Sequence, residues 1–356
     1  MSFLPRASFE LKMSELYSRY IALCEENRKL AGISFELTNF CNFSCPHCYR
    51  VHNNTFLDKY NFHKILAEAT ELGAILVNFN GGEPTIHPQF LDFSLAVLSR
   101  GMHLSVITNG SGVDNEIIEA LTPWRKIVHF QISLYGTDSI SGTDITGIPK
   151  SFESTLELIG KFLANDFDFR VSIMTLSTIA DGIPQLIDYL FSRGIKIGLL
   201  SQLSAMENGN LSPLDFAATD HQILCIFRKE NDLNRDKFIM GGEEDCRLSD
   251  NFSACNAGVT SLGIRADGRI VPCQVFTSPV LGHVSTDSLE SVLRGPARAQ
   301  FLASNVIPDK CRACDLFSHC MRCPADAMFE TGELTGIPQE SCRIARLRAK
   351  MHVDPK

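Results

Sequence analysis

Three cysteines stand close together near the start of the chain. The stretch 38–50 reads TNFCNFSCPHCYR, which gives Cys41, Cys45 and Cys48 a C-x3-C-x2-C spacing. Cysteine thiolates hold a [4Fe-4S] cluster through four positions, and no fourth cysteine follows nearby. Such a loop leaves one iron open to an outside ligand, and we expect chemistry at that iron. The alternatives are a zinc site, although zinc favours four closed ligands, or three unrelated core cysteines.

The cysteine loop resembles the signature of the radical S-adenosylmethionine (SAM) enzymes. In that family the open iron binds the amino and carboxylate groups of SAM, and an electron from the cluster cleaves SAM reductively. The resulting 5′-deoxyadenosyl radical then abstracts a hydrogen atom from the substrate. The resemblance implies the same cofactors here, with the protein supplying position and the exclusion of water.

A glycine-rich segment follows the second predicted strand. The sequence Asn80-Gly81-Gly82-Glu83-Pro84 is by itself a common turn. One βα unit after the cysteine loop, however, it is similar to the family motif that binds the amino group of SAM. The two glycines let the backbone approach a ligand closely, and a carboxylate accepts hydrogen bonds from an ammonium group. The resemblance therefore assigns Gly81, Gly82 and Glu83 to SAM.

Polar residues also lie on or after the next three predicted strands. They are Asn109, Ser133 and Ser172. The family places contacts to the ribose and carboxylate of SAM at these strand ends, so the resemblance makes all three candidates. A serine at a strand end is otherwise a cap or turn residue.

The elements that must position these residues alternate between strand and helix from Gly32 to Leu203. Predicted strands cover 33–37, 75–80, 104–108, 128–134, 170–176 and 196–203, with helices near 58–72, 88–100, 113–121, 151–164 and 184–193. This alternation indicates parallel βα units with right-handed crossovers. Six units are too few for the closed eight-stranded barrel. The expected fold is therefore α/β, an open, partial (βα)6 barrel with its site at the carboxyl ends of the strands.

Eight further cysteines lie beyond residue 244. They are Cys246, Cys255, Cys273, Cys311, Cys314, Cys320, Cys323 and Cys342. The Asp267-Gly268 pair between apolar residues predicts a hairpin that brings Cys255 close to Cys273. Eight thiolates suffice for two closed four-ligand sites, and zinc is an alternative occupant.

This tail resembles the SPASM extension of radical SAM enzymes, which carries auxiliary [4Fe-4S] clusters. Cys255, Gly268 and Cys273 match the pattern C-x9–15-G-x4-C. The run C-x2-C-x5-C-x2-C matches the second part, with a final gap of two residues instead of three. The family topology implies two clusters, whose ligands are Cys246, Cys255, Cys273 and Cys323 for the first, and Cys311, Cys314, Cys320 and Cys342 for the second. Without Cys246, whose spacing lies outside the pattern, the first cluster would have an open iron.

The predicted organisation has five parts. They are an N-terminal helix in 1–31, the radical SAM barrel in 32–203, a helical connector in 204–244 with its helix at 213–230, the cysteine-rich SPASM domain in 245–345, and a C-terminal tail in 346–356. The polar segment 136–152 is expected to be a loop. It either covers the substrate or is a plain surface loop.

Composition excludes several classes of protein. The 356-residue chain has a net charge of −8, which gives no support for nucleic acid or an anionic membrane as a partner. The N-terminus lacks the apolar core of a signal peptide, and no apolar run is long enough to cross a bilayer. Thirteen cysteines without an export signal indicate metal ligation rather than disulfides. We expect a cytoplasmic protein.

Three functions compete. The first is modification of a ribosomally made precursor peptide, by cross-linking or oxidation. The second is a radical SAM dehydrogenase, or a related enzyme, that acts on a small molecule or a protein side chain. Gln274 stands where the sulfatase maturases have an aspartate base, which disfavours their particular reaction. The third is a non-catalytic iron–sulfur or zinc scaffold.

The peptide hypothesis implies partners. A precursor peptide needs leader recognition, which we expect from a separate protein, and the clusters need a flavodoxin- or ferredoxin-type reductant. Cys225 is a candidate hydrogen donor to a substrate radical, although a buried structural thiol is the usual role of a cysteine on an apolar helix.

Overall fold

The structure, a computed structural model, describes residues 13–234 and 255–353. Within these residues nine strands form one sheet, in the order β6-β5-β4-β3-β2-β1-β7-β8-β9. Their bounds are β1 Gly32–Thr38, β2 Leu76–Gly81, β3 His103–Thr108, β4 Val128–Leu134, β5 Asp168–Met174, β6 Lys196–Leu200, β7 Ser261–Ile264, β8 Arg269–Val271 and β9 Gly282–His283.

Thirteen helices are present in the same residues. Their bounds are α1 Met13–Glu26, α2 Lys59–Glu71, α3 Phe90–Leu98, α4 Asn115–Leu121, α5 Ser139–Thr146, α6 Ser151–Ala164, α7 Ile183–Phe191, α8 Asp220–Asn234, α9 Leu289–Arg294, α10 Pro296–Ser304, α11 Asp309–Arg312, α12 Pro324–Thr331 and α13 Gln339–Val353. No helix in the described part of the chain has the length and apolar character needed to cross a bilayer.

The first six strands confirm the predicted partial barrel. Each pairs in parallel with the next along the chain, and a helix or helices lie between successive strands. In β4 every second side chain is buried against the helices, and Ser133 lies on the opposite, inner face. Because period-2 alternation turns one set of side chains inward, the polar residues of the strands line the interior of the barrel.

The predicted hairpin forms, and it also pairs with the barrel, which the sequence did not indicate. Strands β7 and β8 are antiparallel and joined around Asp267-Gly268, and β7 pairs in parallel with β1 from Gly32↔Ser261 to Phe35↔Ile264. The cysteine-rich tail thus extends the sheet of the barrel. It covers the edge of β1 that a six-stranded unit would leave open.

Two predictions for the connecting segments are wrong. Segment 136–152 is not a loop, because it contains α5, where Asp138 and Ser141 form a reciprocal N-terminal cap and Gly147 ends the helix at φ +73°. The connector helix begins later than predicted, since residues 212–216 form a short 3₁₀ turn and α8 follows from Asp220. It also continues past residue 230, to Asn234.

Candidate active site

The cysteine loop leaves the carboxyl end of β1, where the barrel rule places a site. Its backbone is held from two sides. On one side the Glu83 amide donates to the Phe40 carbonyl (2.9 Å), and on the other the Ser44 amide donates to the carbonyl of Thr146 at the end of α5 (2.9 Å). The helix in place of the predicted loop therefore supports the cysteine loop directly.

Gly81 and Gly82 pack against this loop. A side chain on Gly82 would lie within 2.7 Å of the Cys41 nitrogen and closer still to the Phe40 carbonyl. Gly81 has φ +141°, and a side chain there would overlap the Thr38 carbonyl in the same way. Both positions require glycine because the end of β2 touches the backbone of the cysteine loop. This packing is a reason for the two glycines in addition to the close approach of a ligand.

The Glu83 carboxylate, which is expected to contact the SAM ammonium, already has hydrogen-bond donors within the protein. Glu83 is fully buried, and its oxygens accept hydrogen bonds from the Thr85 amide and hydroxyl, the Thr108 hydroxyl (2.6 Å) and the Asn109 amide (2.6 Å). Burial raises the pKa of Glu83, and these donors oppose the rise. The carboxylate accepts four hydrogen bonds from the protein, and these bonds join the ends of β2 and β3.

Asn109 joins the end of β3 to the cysteine loop. Its amide nitrogen donates to the Asn42 side chain (3.1 Å) and lies 3.9 Å from the Cys41 sulfur. Its side-chain oxygen accepts from the amide and hydroxyl of Ser111. The structure thus places the predicted residue at the site, with its side chain engaged by the loop.

Ser133 and Ser172 are register partners on β4 and β5, so the structure brings these two predicted residues together. Ser133 is hydrogen-bonded to Tyr135, whose hydroxyl pKa is raised strongly by burial. Ser172 is 3% exposed, and its hydroxyl has no hydrogen-bond partner among the described residues. A buried hydroxyl without a partner is costly, so the Ser172 hydroxyl suits a ligand or a water molecule inside the barrel.

Aromatic rings cover the cysteine loop. The ring of Tyr135 lies 6.2 Å from that of Phe43 and 5.5 Å from that of His47. Burial lowers the pKa of His47 to about 4, so its imidazole is neutral. These rings shield one side of the loop from water, as radical chemistry requires.

The three thiols of the loop are close enough to influence one another. Burial raises the pKa of Cys41 to about 11, and the charge of Cys48 adds to the rise. The Phe43 amide donates to the Cys41 sulfur (3.4 Å), and the Cys48 sulfur lies 3.4 Å from Nε2 of His52. Three soft thiolate donors with hydrogen bonds to sulfur fit an iron–sulfur cluster. In the described ranges no three Cys, His, Asp or Glu side chains are grouped around the position of one metal ion.

The cysteines of the tail fall into two neighbourhoods. In the first, burial raises the pKa of Cys273 with a further contribution from Cys255, and burial, Asp326 and Cys273 together raise the pKa of Cys323 to about 12. This grouping matches three of the four ligands implied for the first auxiliary cluster. The fourth, Cys246, lies outside the described residues.

The second neighbourhood contains the other four cysteines of the tail. Burial raises the pKa of Cys320, and the charges of Cys342, Cys311 and Cys314 raise it further. Arg322 lies between the two neighbourhoods, since thiolates of both raise its pKa against the lowering effect of burial. Among the described cysteines, the mutual effects on pKa thus follow the two sets implied by the family topology.

Sequence reasoning missed a buried network of four charged residues. Glu36 pairs with Arg50 (2.7 Å) and with Arg265 (3.0 Å), and Arg265 also pairs with Glu207 (3.4 Å). All four side chains are at most 8% exposed. A glutamate within the fully buried strand β1 was the available signal, because such a charge needs a partner.

The network connects the cysteine loop with the tail. Arg50, two residues after Cys48, donates to the backbone carbonyl of Gln274 (3.2 Å), the residue after Cys273. The Gln274 side chain accepts from Asn80 (2.7 Å). Gln274 therefore links the loop after Cys273 to Arg50 and to the end of β2.

Cys225 lies on α8, which packs against α7 and α13, and its sulfur is 3.8 Å from Nε2 of His221. The hydrogen-donor role of Cys225 stays a prediction.

Comparison with known proteins agrees with this site. The family model described as the Radical SAM superfamily matches residues 35–190. The chain belongs to the radical SAM superfamily, and as an enzyme of that class it binds a [4Fe-4S] cluster and SAM. A second family model, SPASM, described as an iron–sulfur cluster-binding domain, matches residues 255–315. The chain is thus a radical SAM enzyme with a C-terminal SPASM domain.

Relatives and solved structures extend this result. The PqqA peptide cyclase of Methylorubrum extorquens (strain PA1) is 25% identical, with 90% of this chain and 86% of the relative covered. The subtilosin biosynthesis protein AlbA of Bacillus subtilis is 24% identical, with 78% of this chain and 64% of the relative covered. SuiB of Streptococcus suis bound to S-adenosylmethionine shares the fold at a TM-score of 0.68 and 17% identity, over 96% of this chain and 84% of that one. For anSMEcpe with bound AdoMet the TM-score is 0.72 at 14% identity, over 91% and 93%.

Proposed function

We propose that this enzyme modifies a ribosomally made precursor peptide by radical chemistry, forming a cross-link or another oxidised product. The observation that carries the proposal is the grouping of the cysteines into one loop at the strand ends and two further neighbourhoods in the tail. Support for a peptide substrate comes from the PqqA peptide cyclase and from two relatives named for the maturation of a sporulation killing factor (SkfB) and the biosynthesis of a bacteriocin (AlbA).

In this proposal Cys41, Cys45 and Cys48 hold the SAM-binding cluster, which supplies the electron that cleaves SAM. The backbone at Gly81–Gly82 binds the SAM ammonium, since the Glu83 carboxylate is occupied by the protein. Ser133 and Ser172 face the ribose and carboxylate from β4 and β5. Asn109 connects the end of β3 to the cysteine loop through its hydrogen bond to Asn42.

The auxiliary sites are part of the proposal. Cys246, Cys255, Cys273 and Cys323 hold one [4Fe-4S] cluster, and Cys311, Cys314, Cys320 and Cys342 hold the other. Such clusters can accept an electron from a substrate radical or relay one from a reductant. Hydrogen bonds to the sulfurs and solvent exposure set the reduction potential of each cluster, and with it the role that the cluster can take. A separate leader-recognition protein and a flavodoxin- or ferredoxin-type reductant complete the system.

A small-molecule substrate is the second candidate. It is favoured by one relative, the tungsten-containing aldehyde ferredoxin oxidoreductase cofactor-modifying protein of Pyrococcus furiosus, which is 23% identical over 80% of this chain. Co-expression with a precursor peptide encoded beside the gene discriminates the two, because only the peptide hypothesis expects a change in the mass of that peptide.

Anaerobic reconstitution with iron and sulfide tests the function. We expect about twelve irons per chain for three clusters, and 5′-deoxyadenosine when SAM and a strong reductant are added. About eight irons would mean that one auxiliary site is absent. A protein that carries only zinc, or that yields no 5′-deoxyadenosine, would contradict the proposal.

Ser172→Ala tests the SAM pocket. The hydroxyl has no partner among the described residues, so its removal is expected to leave the free energy of unfolding nearly unchanged. The loss of one hydrogen bond, worth roughly 1–1.5 kcal/mol, should raise the Kd of the enzyme for SAM about 5- to 13-fold. Equilibrium binding of SAM measures this change, with Ser139→Ala, at a partly exposed serine at the start of α5, as the control. An unchanged Kd would remove Ser172 from the pocket.

A further inference from the structure

The second auxiliary site lies at the protein surface. Cys314 is exposed, whereas the other cysteines that the structure describes are buried or partly buried. The chain around it is exposed at nearly every position from Asp309 to Ser318. A group held by these four cysteines would therefore be accessible to another protein.

Two large apolar side chains are exposed beside Cys314. Phe317 and Met321 are each 48% exposed, three and seven residues farther along. Scattered exposed apolar residues are normal on a protein surface. Here both flank cysteines of one site, and aromatic residues and methionine are enriched where proteins meet.

Basic residues border this surface. Cys342, Arg346 and Lys350 are spaced four residues apart on α13 and share one face of the helix. Arg346 and Lys350 are exposed, and the charge of Arg346 acts on the Cys342 thiol. Helix α13 packs against residues 317–319, which brings these charges to Phe317.

The neighbouring loop adds charges of both signs. Lys310 and Arg312 are exposed, as are Asp309 and Asp315. With Arg346 and Lys350 there are four cations, and Glu330, whose charge also acts on the Cys342 thiol, makes three carboxylates. In a chain whose net charge is −8, this is a locally positive surface beside an exposed cysteine site.

We propose that the surface formed by Cys314, Phe317, Met321, Arg346 and Lys350, the Cys314 face, docks a small acidic one-electron carrier protein. This inference rests on the proposed function, because it requires a cluster on the four cysteines. One electron leaves the reduced carrier and enters the cluster, and no covalent bond is formed or broken.

Physical properties of the surface fit such a partner. Redox encounters use small interfaces, often below 1,200 Å², with an apolar centre and a polar rim. An acidic carrier is repelled by the overall negative charge of the enzyme and attracted only where cations cluster. The basic rim therefore directs the carrier to the cluster that is accessible.

Charge reversal tests the proposal on the reconstituted holoenzyme, with a reduced acidic flavodoxin as the probe. Arg346→Glu/Lys350→Glu is expected to slow reduction of the clusters by the flavodoxin about 10-fold or more at low ionic strength. The matched control is Lys126→Glu/Lys161→Glu, which makes the same change in charge near the amino ends of the strands, at an exposed and a partly exposed lysine that each pair with a carboxylate. The control substitutions should slow the reduction of the clusters by flavodoxin less than about 2-fold.

Stopped-flow absorption of the clusters gives the rate, and calorimetry gives the Kd of the oxidised flavodoxin. Dithionite, a small reductant, should reduce both variants at the wild-type rate, which shows that the clusters are intact. Equal effects of the two reversals, or no effect of either, would overturn the proposal. A Phe317→Ser/Met321→Ser variant is expected to weaken calorimetric binding, and unchanged binding would also count against the Cys314 face.

Failure of this inference is distinguishable from failure of the proposed function. Cys311→Ala/Cys314→Ala should lower the iron content by about four per chain. If the iron content does not fall, the second auxiliary cluster of the proposed function is absent, and the docking proposal fails with it. If it falls while charge reversal leaves flavodoxin reduction unchanged, only the docking proposal is overturned.

Discussion

Replacing Gly82 by alanine is expected to abolish iron binding at the cysteine loop and to reduce SAM cleavage at least about 100-fold. The added methyl group would overlap the Phe40 carbonyl and approach the Cys41 nitrogen to 2.7 Å. Both are backbone atoms, so no side-chain rotation relieves the overlap, and the loop must shift together with Cys41. A displacement of about 1 Å at a reacting site costs a factor on the order of 100.

The free energy of unfolding should fall by about 1–3 kcal/mol, the usual cost of overpacking. Iron analysis and a 5′-deoxyadenosine assay measure the first effects, and urea unfolding measures the last. Gly160→Ala is the control, because nothing lies within 4 Å of a methyl group at that position in α6. It should stabilise the helix by about 0.5–1 kcal/mol and leave SAM cleavage unchanged. A Gly82→Ala protein with a full complement of iron would refute the packing argument.

The sequence predicted the elements that carry the chemistry because their signals are local. The cysteine spacings and the alternation of strands and helices are periodic features that need no knowledge of distant residues. Strand β4 was predicted with both ends correct, and β5 was displaced by two residues. Boundaries of this kind depend on individual hydrogen bonds at the strand ends.

Segment 136–152 shows how composition misleads. Its glycines and polar residues are typical of a loop, but Asp138 and Ser141 cap a helix, and Gly147 supplies the positive φ that ends it. The reciprocal cap usually carries Glu or Gln at the third helical position. Serine in that place hid the signal.

Contacts between distant segments lie outside what a single sequence shows. The hydrogen bonds from Thr108 and Asn109 to Glu83 join two strand ends, so the carboxylate also holds the site together. The pairing of β7 with β1 joins residues more than 200 positions apart. Neither follows from propensity or periodicity, since both depend on how the elements pack.

The buried charged network is the least predictable of these features and has direct consequences for the site. It holds the loop of Cys48 and the loop of Cys273 in a fixed relation, through Arg50 and the Gln274 carbonyl. Two arginines and two glutamates balance in charge away from water. A balanced group of this kind contributes little net stability, but the loss of one member leaves a buried charge without compensation.

Glu36→Gln is therefore expected to lower the free energy of unfolding by about 3–5 kcal/mol. The amide keeps the shape of the side chain while Arg50 and Arg265 lose their shared counter-ion, which leaves one excess buried positive charge. Urea unfolding of the anaerobic protein measures the change. Glu119→Gln on α4, an exposed glutamate for which the structure shows no ion pair among the described residues, is the matched control and should change the value by less than about 0.5 kcal/mol.

A second substitution tests whether charge balance is the cause. Arg265→Met also breaks the network, but Glu36→Gln/Arg265→Met leaves Arg50 and Glu207 as a neutral remainder. The double variant should be more stable than the sum of the two single effects predicts, by about 0.5–3 kcal/mol. Strictly additive effects would show that Glu36 acts only through its local contacts, because compensation between opposite charges requires the two sites to be coupled.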